Sequence, residues 1–440
     1  MNQRWTLHVE NFARIDSADI EISPLMCFIG DNNSGKSYIM SLLWGLLYHS
    51  WYFLFDDDKA AIAKQEECRR WREQFNDREC IIDAEAVQKY LALFNELLDR
   101  NKEKIVTDIF NRKMPVGKIE IRNFRISDAV SLYCSPSKLI IKNSGSVFEV
   151  GGNYQKWVNA DFAICWSLLM GNLTTHYPIE EATGLPVYLP ASRTGFLLTR
   201  REIATGSIRR NFSLPSEDKK FQETLTAPYI QFLQIINSLT DSSGNYSEDK
   251  LPLINFLQKE VIHGDIKVRE TGKIMRYTPE DVEEQELPMS ITSSVVTETA
   301  SLLLLLTNSL YFRLVVIEEP EAHLHPALQK KIAQLLIRFV HSGIPIWITT
   351  HSDIILQHFN NMIKLGNRSD EDREKLLKEF GYSKEDLLTP NEINLYQFER
   401  EIKHTSVQKL ESGKYGFVGN LFNKAIDELA AEIYAFQEDD

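Results

Sequence analysis

Residues 25–47 read LMCFIGDNNSGKSYIMSLLWGLL, and this stretch decides the fold. Its central octet, GDNNSGKS at 30–37, matches the phosphate-binding pattern G-x-x-x-x-G-K-[ST] without a mismatch. The apolar run 25–29 precedes the octet as a buried strand would, and a run typical of an apolar helix follows it at 38–47. The sequence therefore predicts a strand, a phosphate-binding loop and a helix, the order that a nucleotide site requires.

The residues of this loop have separate expected tasks. Gly30 and Gly35 allow the backbone turns that aim successive N–H groups at phosphate oxygens. Lys36, at the predicted helix start, would reach the β- and γ-phosphates, and Ser37 would bind Mg²⁺. A glycine-rich turn without a ligand is the alternative interpretation. The residues predicted to contact ATP in this loop are Gly30, Asn32, Asn33, Ser34, Gly35, Lys36, Ser37 and Tyr38.

A second predicted strand ends in carboxylates. Residues 314–317 (LVVI) are apolar and mostly β-branched, and residues 318–321 read EEPE. Carboxylates at the end of a buried strand suit Mg²⁺ binding and water activation beside a phosphate-binding loop. Glu318 is predicted to hold Mg²⁺ through water, and Glu319 to orient or deprotonate the attacking water. A charged strand end that enters solvent is the alternative.

Two more side chains follow predicted strands. His351 comes after the strand 344–349, and Arg193 comes after the short apolar strand 185–190. Open α/β sheets place their ligand contacts at the carboxyl ends of strands. Arg193 is therefore a candidate for a phosphate contact, and pairing with a surface carboxylate is the equally weighted alternative.

Two helix starts carry polar side chains. Ser293 and Ser294 would cap a long helix at 295–310, and a helix N-terminus with hydroxyl groups is an anion site. The His-x-His pair at 323–325 is compatible with a metal, but Pro326 predicts a helix start and no further ligands cluster there. A zinc site is therefore disfavoured.

The composition describes an acidic chain. The 440 residues carry a net charge of −13, which argues against a surface that grips nucleic acid throughout. The five cysteines form no C-x-x-C pair, so a reducing compartment is the simplest setting. The N-terminus does not resemble a signal peptide, and the longest apolar stretch, 300–312, is too short to span a bilayer. We therefore expect a cytoplasmic protein without a membrane segment.

The motifs in this order resemble the ABC-type ATPase heads of the SMC and OLD families. The likeness is strongest to compact prokaryotic AAA-ATPases of the OLD-like group, as used in anti-phage systems of the PARIS and Septu kind. It covers most of residues 1–365 and rests on the octet 30–37, IEEPEAHLHP at 317–326, TTHSD at 349–353 and YLPASR at 188–193. It implies an α/β fold, namely an ABC-type P-loop ATPase head with a mixed central sheet, an antiparallel β subdomain and helical insertions.

The resemblance also implies roles for single residues. Glu318 matches the Walker B acid, Glu319 the catalytic glutamate and His351 the switch histidine that senses the γ-phosphate. Ser293 and Ser294 match the signature motif, which in these families contacts ATP held by the opposite subunit. The predicted catalytic residues are thus Glu319, His351 and Lys36.

The chain departs from the family pattern at Val295, where the family usually has glycine after the signature serines. A β-carbon there hinders a close backbone approach to the γ-phosphate. A nucleotide-gated scaffold with little hydrolysis is for this reason one alternative function.

The resemblance implies an ATP-hydrolysing, Mg²⁺-dependent scaffold and sensor in bacterial anti-phage defence. It would form a homodimer or higher homo-oligomer and control a separate effector nuclease, Toprim-like or HNH, in response to a phage-derived trigger. A DNA-repair or chromosome-maintenance ATPase is the other alternative, although the net charge does not indicate DNA binding. The predicted units are the head at 1–55, 114–200 and 265–365, helical insertions at 56–113 and 201–264, and a C-terminal extension at 366–440.

Overall fold

The computed structural model describes the chain in several stretches. They are residues 4–48, 66, 70, 80–82, 84–125, 130–135, 138–143, 146–151, 184–200, 203, 225–239, 248–269, 274–282, 285–308, 310–413, 416–418 and 430–436. The sequence also predicts a helix at 154–173, and these residues lie outside the described stretches. Among the described helices, none is long and apolar enough to cross a membrane.

The strands and helices follow one another along the whole chain. The strands are β1 (Arg4–Phe12), β2 (Ile15–Glu21), β3 (Leu25–Gly30), β4 (Cys80–Ile82), β5 (Lys118–Arg125), β6 (Val130–Ser135), β7 (Lys138–Asn143), β8 (Ser146–Gly151), β9 (Leu185–Leu189), β10 (Gly264–Arg269), β11 (Ile274–Pro279), β12 (Leu287–Pro288), β13 (Phe312–Glu318), β14 (Ile346–Thr349), β15 (Ile393–Arg400) and β16 (Thr405–Leu410). The α-helices are α1 (Lys36–Tyr48), α2 (Ala84–Phe110), α3 (Ala227–Ser238), α4 (Leu251–Phe256), α5 (Ser294–Thr307), α6 (Pro326–His341), α7 (Asp353–Gly366) and α8 (Asp370–Phe380). A π-helical turn, Leu257–Ile262, continues α4.

One nine-stranded sheet organises the described part of the chain, in the order β5-β1-β2-β16-β15-β3-β14-β13-β9. The strands from β15 to β9 run parallel, whereas β5, β1 and β2 pair antiparallel at the other end. Two smaller antiparallel sheets, β10-β11-β12 and β4-β6-β7-β8, complete the architecture. The predicted α/β fold, with a mixed central sheet and a separate antiparallel part, is confirmed.

The central strands are apolar because helices cover both of their faces. Alternate side chains point to opposite sides of the sheet. Val316 packs on the side of α1 and α2 with Trp44, whereas Val315 packs on the side of α5, α6 and α7 with Leu303. The strand that carries the phosphate-binding loop therefore lies in the middle of a two-sided core.

Two regions differ from the sequence-based expectation. Residues 56–113 were expected to form a polar helical insertion, but Cys80–Ile82 is a strand, and one face of α2 is buried in the core. Asn95 of α2 exchanges two 2.8 Å hydrogen bonds with the backbone of Ile121 in β5, which fastens the helix to the main sheet. The segment 366–440, expected to be an extension, supplies β15 and β16 to that sheet, with β15 directly beside β3.

Candidate functional site

The loop 30–37 joins β3 to α1 in a conformation that demands glycine. Gly30 has a φ of +131° and Gly35 a φ of +100°, values that residues with a β-carbon rarely adopt. A β-carbon on Gly30 would lie 2.0 Å from the carbonyl oxygen of Phe398 in β15. Neither glycine can therefore gain a side chain without a backbone shift, and the loop keeps the open cradle that its sequence predicts.

Lys36 folds over this cradle. Its Nζ donates to the carbonyl oxygens of Gly30 at 2.9 Å and Asp31 at 2.7 Å, and the residue is only 6% exposed. Burial lowers the pKa of Lys36 to about 8, although the nearby carboxylates of Glu319 and Asp31 oppose the shift. A buried ammonium group with few fixed partners has much to gain from a phosphate anion.

The other loop residues line the same cradle. Ser34 is buried, and among the described residues its Oγ has no hydrogen-bond partner, so this hydroxyl is free to bind a ligand. Asn32, Asn33, Ser37 and Tyr38 are exposed at the mouth of the loop. The ring of Tyr38 packs against the rings of Phe12 and Phe110, which fixes its direction.

The acidic end of β13 lies beside this loop. Glu318 is buried, and its carboxylate accepts hydrogen bonds from the Tyr188 hydroxyl at 2.8 Å and from the Ala191 N–H at 3.0 Å. Glu319 has a φ of +45°, and its N–H donates to the carbonyl oxygen of Thr349 at 2.9 Å. Because the backbone turns left-handed there, consecutive carboxylates enter different surroundings. Glu318 is held inside, and Glu319 reaches the open side.

Glu319 meets the predicted switch histidine. Its Oε1 lies 3.9 Å from Nε2 of His351, which follows β14 on the neighbouring strand. Burial, assisted by the charge of Lys36, lowers the pKa of His351, so its imidazole is neutral at pH 7. The structure thus brings the three predicted catalytic residues to one edge of the sheet.

Glu321 belongs to the same edge, although the sequence analysis gave it no role. Its carboxylate accepts a hydrogen bond from the backbone N–H of His351 at 2.7 Å, while its Oε2 is buried and has no hydrogen-bond partner in the part of the chain that the structure describes. Burial raises the pKa of Glu321. The third acid of EEPE was a signal for this residue, since a carboxylate so near a buried strand needs a partner.

Arg193 does not face the cradle. It is 3% exposed, and its side chain donates to four backbone carbonyl oxygens, those of Pro190, Glu298, Glu318 and Glu319. Its Nη2 also lies 3.2 Å from a carboxylate oxygen of buried Glu298. These contacts match neither alternative for Arg193, a phosphate contact or an ion pair with a surface carboxylate. Because β9 ends beside β13, the guanidinium turns beneath the acidic strand end.

Ser293 and Ser294 lie at the start of α5, apart from the cradle. Ser293 is the N-cap, and its Oγ accepts the N–H of Val296 at 3.5 Å. The Ser294 Oγ donates to the carbonyl oxygen of His323 at 3.5 Å. Both serines are exposed and Val295 is half-buried. Within the described stretches, no hydrogen bond joins these serines to the loop 30–37.

The residues present fit a nucleotide and Mg²⁺. The orphan hydroxyl of Ser34, the buried ammonium group of Lys36 and the start of α1 are complementary to phosphate. The hydroxyl of Ser37 and the carboxylate of Glu318 are oxygen donors of the kind that Mg²⁺ prefers. Because both oxygens of Glu318 already accept hydrogen bonds, this residue would reach the ion through water.

The comparison with protein-family models agrees with this geometry. A family model described as "AAA ATPase domain" matches residues 6–144 and 204–356, which include both the loop and the acidic strand end. The comparison with curated proteins found no match.

Three solved structures of SMC heads are similar to the chain at low identity. The SMC head domain from Thermotoga maritima is 9% identical (93% of this chain and 100% of that chain covered, TM-score 0.36). The Smc head domain with an extended coiled coil from Pyrococcus furiosus, bound to the C-terminal domain of ScpA, is 12% identical (97% and 98% covered, TM-score 0.37). An SmcHead bound to the C-winged helix domain of ScpA is 10% identical (92% and 97% covered, TM-score 0.37).

Proposed function

The chain belongs to the AAA ATPase domain family, and from this premise we propose that Glu319 and His351 carry out hydrolysis of ATP held by the loop 30–37. The observation that carries the proposal is the 3.9 Å approach of these two side chains at the strand edge beside Lys36. Glu319 is half-exposed there, so water can reach its carboxylate.

The proposed roles follow from the surroundings of each group. Lys36 leaves the loop carbonyls and binds the β- and γ-phosphates. Glu319 accepts a proton from the water that attacks the γ-phosphorus, and the bond from that phosphorus to the bridging oxygen of ADP breaks. His351, as a neutral imidazole, hydrogen-bonds to the γ-phosphate. Ser37, and Glu318 through water, would hold Mg²⁺, which would neutralise phosphate charge.

Replacement of Glu319 by glutamine tests the proposal. We expect Glu319→Gln to lower the turnover number by about 10²- to 10⁴-fold, because the amide cannot accept the proton. ATP binding should persist, as measured with a fluorescent nucleotide. Glu371→Gln, which alters an exposed acid on α8, is the matched control and should leave turnover unchanged. Turnover in Glu319→Gln within threefold of the unmodified protein would refute the assignment.

We propose further that the chain is an oligomeric scaffold and sensor in an anti-phage defence system. It would hold or activate a separate effector nuclease, Toprim-like or HNH, and respond to a phage-derived trigger. The motif resemblance supports this role, and so do Ser293 and Ser294, which are exposed at a helix start where ATP on a second copy would find hydrogen-bond donors.

Two measurements test this wider role. The mass in solution should at least double when ATP is added to Glu319→Gln, and Ser294→Arg should prevent the increase. The purified chain with Mg²⁺ should leave DNA intact until the product of an adjacent nuclease gene is added. DNA cleavage by the chain alone would overturn the scaffold role. Salt-dependent duplex binding that raises ATP turnover would instead favour chromosome maintenance or repair.

A further inference from the structure

A buried ion pair lies beneath the acidic strand end. Arg193 and Glu298 are 3% and 2% exposed, and their charged groups approach to 3.2 Å. Arg193 lies just beyond β9, whereas Glu298 lies in the second turn of α5. A charged pair this deep is costly to bury, so its geometry needs additional hydrogen bonds to be stable.

The guanidinium has those bonds, and two of them end on the backbone of Glu318 and Glu319, at the end of β13. Its Nη1 donates to the carbonyl oxygen of Glu318 at 2.7 Å, and its Nη2 donates to that of Glu319 at 3.1 Å. Its Nε donates to the backbone carbonyl oxygen of Glu298 at 3.2 Å. A single planar group thus connects two consecutive peptides at the end of β13 to α5.

These bonds hold a strained residue. Glu319 is a non-glycine residue with positive φ, and such a conformation persists only when its neighbours enforce it. The Thr349 carbonyl oxygen holds the Glu319 N–H, and Arg193 holds the Glu319 carbonyl oxygen. The peptides on both sides of Glu319 are therefore fixed from outside the strand.

The carboxylate of Glu298 extends the connection to the next turn. Its other oxygen lies 2.8 Å from Nδ1 of His323, which also has a left-handed backbone, with a φ of +58°. The carbonyl oxygen of His323 accepts the hydroxyl of Ser294. The buried acid thus links the helix with the exposed serines to both left-handed residues of the turn.

We propose that Arg193 and Glu298 form a clamp that positions Glu319 for hydrolysis. The clamp sets the direction of the Glu319 side chain by fixing its backbone, and Arg193 is a positioning residue that contacts neither ATP nor water. The proposal rests on Glu319 being the general base.

The test replaces each member of the clamp conservatively. Arg193→Lys keeps the charge but loses the planar fork of N–H donors. A single ammonium group cannot reach both strand carbonyl oxygens and Glu298 at the same time. We expect its turnover number to fall at least tenfold, while the KM for ATP changes less than threefold. Arg313→Lys is the matched control, because Arg313 is equally buried but lies at the opposite end of β13.

A double-substitution cycle separates positioning from general damage. In single-turnover experiments, Arg193→Lys should change the residual rate of Glu319→Gln less than twofold, because the side chain that it positions is already disabled. Amide hydrogen exchange in residues 319–324 should accelerate in Arg193→Lys and not in Arg313→Lys. An equal loss of rate in both backgrounds would overturn the clamp. So would a loss that merely follows a lowered melting temperature.

The isosteric Glu298→Gln provides a second route if Arg193→Lys does not fold. It leaves the guanidinium without its counter-charge and should produce the same cycle and the same exchange pattern. Full turnover by a folded Glu298→Gln refutes the clamp. Failure of the catalytic assignment is read separately, from Glu319→Gln alone.

Discussion

Gly30→Ala tests whether β15 is part of the phosphate-binding unit. The added methyl group would lie 2.0 Å from the carbonyl oxygen of Phe398, 2.8 Å from its carbonyl carbon and 2.9 Å from its nitrogen. All three are backbone atoms of a buried strand, so no side-chain rotation can relieve the contact. Either β3 or β15 must move, or the loop must leave its present conformation.

Two terms set the expected cost. A non-glycine residue forced to a φ near +131° costs about 1–3 kcal/mol, and overpacking of a well-packed core costs about 1–3 kcal/mol more. We therefore expect the free energy of unfolding to fall by roughly 2–6 kcal/mol, a large share of the 5–15 kcal/mol that is typical of whole domains.

Urea unfolding monitored by tryptophan fluorescence measures this loss, read from the midpoint at constant slope. Gly195→Ala is the matched control, because a β-carbon there has no neighbour within 4 Å and its φ is not positive. That control should change stability by less than about 1 kcal/mol, and in the stabilising direction. Neutral surface substitutions change the free energy of unfolding by no more than about 0.5 kcal/mol. A change this small in Gly30→Ala would refute the packing of β15 on the loop.

Two further predictions concern buried basic side chains. Lys36→Met should abolish the rise in melting temperature that ATP and Mg²⁺ produce in the unmodified chain, where ligand at one hundred times its Kd adds about 2.7 kcal/mol of stability; an undiminished rise would contradict the role of Lys36. Burial, assisted by the charge of Lys330, lowers the pKa of His358 from 6.5 to about 4. The unfolded chain thus takes up a proton near pH 6.5 and the folded chain only near pH 4, so stability falls as the pH falls between these values. His358→Phe should remove up to about 3 kcal/mol of that fall in urea unfolding at pH 7 and pH 4, and identical pH profiles would contradict the assignment.

The parallel centre of the fold was predictable from sequence because its signals are local. The run 25–29 leads into a fixed motif, and the run 314–317 leads into carboxylates, so each strand and its carboxyl end could be placed. The run INLYQF at 393–398 also predicts a strand. The sequence does not predict that this strand pairs with β3, because β3 lies more than 360 residues earlier and alternation along a strand does not identify its partner.

The same limit applies to Arg193. The local sequence around an arginine that follows an apolar strand is the same whether its guanidinium points toward a ligand or beneath the sheet. Its partner offered a better signal. Glu298 interrupts the apolar helix 295–306, and a carboxylate on a buried helix face requires a cation. The approach of Glu319 to His351 could be predicted from the sequence, because parallel strands bring their carboxyl ends to one edge of the sheet.

The phosphate-binding loop depends on more chain than its octet. Asp31 occupies a variable position of the motif, yet its N–H donates to the carbonyl oxygen of Phe398 at 3.2 Å, and its Oδ2 accepts the N–H of Arg400 at 3.0 Å. Lys36 in turn donates to the carbonyl oxygen of Gly30, which belongs to the same peptide as the Asp31 N–H. If Lys36 turns to a phosphate as proposed, the peptide that it releases is the one that β15 holds. β15 therefore packs against the loop 30–37, and the conformation of the loop cannot be set by residues 25–47 alone.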